Sequence, residues 1–163
     1  GMLSANCATH FDHGDPGNED PVERQSCRPD AVVVGYGAIT AVSFPKPFGI
    51  PEDFDNDLCG AGMQERLYLA AEKNIRYDSP PFFIWQTLSD DGRLGMNLAK
   101  ELNDAKIPYE LHIFEGGVHG LGLADGESDL GMDVPHITHW GTLCDEWMQM
   151  HELKYEGKRM EDS

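Results

Sequence analysis

The chain has 163 residues, 40% of them hydrophobic, enough for one domain with a buried core and too few for two ordinary ones. Twelve Lys and Arg (12) stand against 29 Asp and Glu, a formal charge of −17, so the surface repels phosphate backbones and anionic lipid. Nucleic-acid and membrane-surface partners are therefore not expected, and the charge is read as a solubility feature.

In chain order, residues 2–10 carry Ala5 and Ala8 with no breaker and predict a short helix. Residues 12–29 are dense in Asp, Glu, Pro and Gly and predict a solvated loop. The continuous apolar run Ala31-Val32-Val33-Val34-Gly35-Tyr36 suits a strand buried on both faces, as in a parallel sheet. From Phe44 to Cys59 Pro and Gly dominate, predicting a long irregular excursion, and residues 63–74 follow with helical spacing of Leu67, Ala70, Ala71 and Asn74. Pro80 and Pro81 introduce a second strand at Phe82-Phe83-Ile84-Trp85. Leu94, Leu98, Leu102 and Ala105 then recur at helical intervals, and residues 109–114 form a third strand. Ile137, Trp140, Leu143, Trp147 and Met150 make the apolar stripe of a last helix, and a charged tail over 152–163 is expected to fray. The alternation predicts a single α/β domain over 1–163, with about three parallel strands and flanking helices.

Gly1 ahead of Met2 reads as the remnant of a removed tag before an initiator methionine, and no signal-peptide pattern follows. The four cysteines, Cys7, Cys27, Cys59 and Cys144, form no C-x-x-C pair. They are expected to be reduced, mostly buried thiols of a cytoplasmic protein.

Ligands of open α/β sheets bind beyond the carboxyl ends of the strands. Asp90 and Asp91 follow the second strand in Thr87-Leu88-Ser89-Asp90-Asp91-Gly92, and His119 follows the third in Glu115-Gly116-Gly117-Val118-His119-Gly120. An acid after one strand and a histidine after the next can meet as the orienter and general base of a hydrolytic triad. The bland alternatives are turn aspartates and a solvated loop histidine.

Phe83-Ile84-Trp85-Gln86-Thr87 with Asp90 and Asn97, then Pro108-Tyr109-Glu110-Leu111-His112-Ile113-Phe114, then Gly117-Val118-His119-Gly120-Leu121-Gly122-Leu123, are together similar to the acetyl-xylan-esterase-like branch of the α/β-hydrolase superfamily. The resemblance implies Asp90 as triad acid, with Asp91 as the fallback, and His119 as base. It extends to the closing helix around Trp140 and Trp147. The chain departs from the family after the acid, where Gly92-Arg93-Leu94-Gly95 replaces a short apolar stretch with a proline.

The family's nucleophilic serine sits on a G-x-S-x-G-G elbow that leads into a helix. Gly1-Met2-Leu3-Ser4-Ala5-Asn6-Cys7 resembles the start of that helix, so residues 1–12 would follow the elbow. The resemblance thus implies only the C-terminal half of the fold, with serine and oxyanion hole outside these residues. Ser4 lacks the elbow context, and Cys7 is expected to be a buried, inert thiol. His10 with His13 and His136 with His139 could ligate zinc only if the fold joined the two pairs, and neither a metal nor a cofactor is expected.

No charge or proline interrupts Val32-Val33-Val34, so an uncovered edge there would invite pairing. The expectation is a homodimer joined through the edge of the Ala31 to Tyr36 strand, or a fold in which the N-terminal helix crosses that edge. Three functional readings follow. One is a truncated esterase inactive alone, acting on small esters by resemblance. Another is an esterase of short-chain or sugar acetyl esters, active when its upstream half is present. The last is a non-catalytic binding or assembly module.

Overall fold

A computed structural model describes residues 1–37, 39–40, 42–43, 62–127 and 130–153. Its centre is a parallel sheet in the order β1-β2-β3, made by β1 (Val32–Gly35), β2 (Phe82–Thr87) and β3 (Tyr109–Phe114). Val32 lies opposite Phe82, and Phe82 opposite Tyr109, so all three strands end on the same side of the sheet. The strand in the middle is buried along its whole length, its apolar Phe82 to Trp85 run followed by the buried polar side chains of Gln86 and Thr87.

Alternation along the strands sorts the core into two layers. Val32, Val34, Phe82 and Ile84 face Leu98 and Leu102 of the long helix between β2 and β3, together with Ala5 and Ala8. The helix at the chain's start is α1 (Met2–Cys7) and the long one is α3 (Arg93–Ala105). On the opposite face Phe83, Trp85 and Phe114 pack on Ile137, Cys144 and Trp147 of α4 (Pro135–Met150). Each fully buried large apolar side chain here contributes roughly 1.5–3 kcal/mol relative to exposure.

Several local expectations need correction. The helix from Met63 stops early: α2 spans Met63–Leu69, and Ala70 turns extended before a short 3-10 turn over Ala71–Lys73. Asn74 causes the stop, because its side-chain amide donates to the carbonyls of Leu67, Tyr68 and Ala70 at 2.8, 3.0 and 2.8 Å. In α4 the apolar stripe ends on Cys144 and Trp147, and Met150 is exposed. The thiols are not mostly buried: Cys7 and Cys27 are exposed, and Cys144 is buried. Cys7 lies outside because α1 buries Ala5 and Asn6 against β1, which turns the next position to solvent. The irregular excursion expected from Phe44 to Cys59 lies outside the described residues, as does the tail beyond residue 153.

Among the described residues β1 pairs only with β2. Val32 and Tyr36 donate to the carbonyls of Pro81 and Trp85, so the alternate amides of Val33 and Gly35 point away from the sheet. Helix α1 packs on the Val32 and Val34 face of that strand. No helix among the described residues is long and apolar enough to cross a membrane.

Candidate active site

The site lies where β2 and β3 end. After Thr87 the chain makes a 3-10 turn over Leu88–Asp90 and drops Asp90 at the strand terminus, its side chain only 6% exposed. One carboxylate oxygen, Oδ1, faces His119 Nδ1 at 2.6 Å. The other, Oδ2, accepts from the Thr87 hydroxyl at 3.1 Å, and the Ser89 hydroxyl lies 2.6 Å from that of Thr87. With Thr87 giving its proton to Asp90, Ser89 donates to Thr87, and the hydroxyls hold the carboxylate in one orientation.

An ionised carboxylate only accepts, so the bond to Asp90 places the imidazole proton on Nδ1. The lone pair then sits on Nε2, on a side chain that is 70% exposed. That is the tautomer of a general base oriented by an acid.

The loop after β3 owes its path to glycine. Gly116, Gly117 and Gly120 have φ of +82°, +78° and +82°, in the left-handed region that L side chains rarely adopt. At Gly117 space is also lacking: a Cβ would lie 2.7 Å from Ile137 Cδ1 and 2.8 Å from Leu121 Cδ1. The loop is tied down again where Trp140 Nε1 donates to the Gly122 carbonyl at 3.0 Å. Between these anchors the His119 ring stands nearly perpendicular to that of Tyr36, centroids 5.1 Å apart. Tyr36 in turn borders a cavity of about 360 Å³, lined also by Val33, Gly35, Trp85, Leu123 and Trp140.

Asp91 takes a different path from its neighbour. Its φ of +59° turns it toward the start of α3, where the Arg93 guanidinium bonds both carboxylate oxygens, Nε at 2.8 and 3.0 Å and Nη2 closer still. The hydrogen bonds from Arg93 hold the Asp91 carboxyl below the usual carboxylate range. Gly92-Arg93 thus closes the turn by an ion pair, and Asp90 still reaches His119.

Of the remaining candidates, Ser4 lies within α1, where its carbonyl accepts from Ala8. Three of the four histidines considered as zinc ligands are otherwise engaged. His10 stacks on Tyr68, His13 bonds Asp78 at 2.8 Å, and His136 packs edge-on to Phe114. Among the described residues no group of three or more His, Cys, Asp or Glu is placed to hold a metal. Sequence reasoning overlooked Thr87, which bonds Asp90, and Tyr36, whose ring meets that of His119. The signal for Thr87 was its position three residues before Asp90, at the end of a buried strand.

No protein-family model matches the chain. Over 125 residues, 74% of its length, it is 34% identical to endo-1,4-β-xylanase B of Butyrivibrio fibrisolvens, of which it covers 19%. Its fold matches that of an acetyl ester-xyloside bifunctional hydrolase from Caldicellulosiruptor lactoaceticus, with TM-score 0.79 and 34% identity, covering 94% of this chain and 54% of that one. It also matches the carboxylesterase Cest-2923 of Lactobacillus plantarum, with TM-score 0.68 and 21% identity, covering 96% of this chain and 56% of the other. The chain therefore spans about half the length of these α/β-hydrolase structures, and its three parallel strands with their helices are a partial α/β-hydrolase fold.

Proposed function

We propose, from a chain that matches one half of α/β-hydrolase esterases, that it carries the acid and the base of a carboxylic-ester hydrolase whose nucleophile lies outside these 163 residues. The observation that carries the reading is the 2.6 Å bond between Asp90 and His119, the base left exposed and the acid buried. In the complete site a serine hydroxyl would give its proton to His119 Nε2 as its oxygen attacks the ester carbonyl. His119 would return that proton to the departing alcohol, leaving an acyl-enzyme. It would then take a proton from the water that attacks the acyl carbon and hand it to the serine oxygen as the acid leaves. Asp90 keeps the imidazole in the reactive tautomer and favours the imidazolium that forms at each step.

The substrates of this reading are short-chain carboxylic esters, acetylated sugars among them. The similar Caldicellulosiruptor protein, an acetyl ester-xyloside hydrolase, supports that class. Without the nucleophile and the oxyanion hole the pair lacks the largest catalytic contributions, so the 163-residue chain is inactive alone. Hydrolysis of p-nitrophenyl acetate by this chain and by its His119→Ala variant tests that point. The two rates should agree, and a turnover that disappears with His119 would place a working nucleophile inside the chain.

In this form the outward edge of β1 is covered by the same edge of a second copy. The support for this homodimer is that β1 pairs on one side only among the described residues, with Val33 and Gly35 directing their amides away from β2.

A further inference from the structure

We infer that Tyr36 is a positioning residue for His119, holding the imidazole in the plane from which Nδ1 keeps its bond to Asp90; this rests on reading the Asp90–His119 pair as acid and base. A single hydrogen bond at Nδ1 leaves the ring free to swing about it. The side chain is 70% exposed on a glycine-rich loop, so little else is available to restrain it. Tyr36 stands on the open side, its ring centroid 5.1 Å from that of His119 and the planes 73° apart, a favoured perpendicular arrangement.

The tyrosine is itself held firmly. Its backbone amide donates to the Trp85 carbonyl at 2.9 Å, which pins its Cα to the end of the sheet. Its ring meets Trp85 at 4.9 Å and 89°, and Trp85 is stacked on Trp140 at 4.7 Å and 15°. Trp140 holds the far end of the histidine loop through the Gly122 carbonyl. Gly35 lets the indole lie close to β1, since a Cβ there would fall 2.7 Å from Trp85 Nε1. One aromatic row thus runs from the closing helix through the central strand to the base.

The backbone at residue 36 points the same way. Tyr36 has a φ of +36°, an uncommon conformation for a bulky residue, and it lies between Gly35 and Gly37. A third glycine would take that conformation more easily.

The test is imidazole NMR on the 15N-labelled chain at a pH where histidine is neutral, with the His119 signals assigned by their loss in His119→Ala. The wild type should show the Nδ1–H form, and Tyr36→Phe should keep it. Tyr36→Leu should lose it toward an average of the two tautomers. Ring-proton contacts between Tyr36 and His119 in wild-type spectra give a second measurement that needs no variant to fold. A Tyr36→Leu protein with the wild-type tautomer, or absence of those contacts, would overturn the role of Tyr36 and leave the pair standing. A wild type without the Nδ1–H form would remove the pair, and the inference with it.

Discussion

Asp90 and Asp91 have the same side chain and adjacent positions, and the backbone alone separates their chemistry. The sequence offered both as candidate acids, with Asp90 favoured only by resemblance, and it is Asp90 that meets His119. What sets the two apart is the left-handed φ of Asp91, which directs its carboxylate to Arg93, and that angle has no residue signature in Asp90-Asp91-Gly92. Because Arg93 lowers the Asp91 pKa in the folded state, their pairing stabilises the fold above the ordinary aspartate pKa of about 3.9. That stability is lost as pH falls below 3.9 through the folded value. Asp91→Asn should therefore be less stable than wild type in urea unfolding near neutral pH, and the two should converge in acid. Equal stability at both would show that the pair is fully screened by solvent. Cys7 gives a second lesson at this scale. Its apolar neighbours suggested burial, but on a six-residue helix one position decides which side faces water.

Strands were more legible than helix ends. The apolar start of β2 announces that strand by composition, and the third strand, mixed in composition, falls at residues 109–114 as read. The end of α2 was hidden because it depends on the Asn74 side chain capping carbonyls several residues back, not on a break in periodicity. The histidine loop is the element on which the site most depends. Gly117→Ala meets both a left-handed φ and the side chains of Ile137 and Leu121, whereas Gly116→Ala meets the φ with nothing within 4 Å. The first should cost about 2–4 kcal/mol and the second about 1–2 kcal/mol, read from urea midpoints. Equal costs would mean that the loop does not pack on α4 as described.

At the scale of the molecule, the half-fold was legible because three strand segments and two strand-end motifs lie in one order. The uninterrupted Val32-Val33-Val34 run marks the outer edge of β1 as one that invites pairing, but a strand's own sequence does not say which segment covers it. The proposed homodimer predicts sedimentation at twice the chain mass at micromolar concentration. Val33→Pro removes one outward amide and spares the bonds to β2, so it should give a folded monomer. A wild-type monomer would rule the edge pairing out. The central claim, that Asp90 and His119 await a nucleophile from elsewhere, is tested most directly by supplying one. The segment to add ahead of Met2 is the part of the Caldicellulosiruptor hydrolase that precedes its match to this chain. Hydrolysis of p-nitrophenyl acetate by that fusion should exceed that of the chain alone and fall about 10³-fold or more with His119→Ala. An active fusion indifferent to His119 would contradict the account.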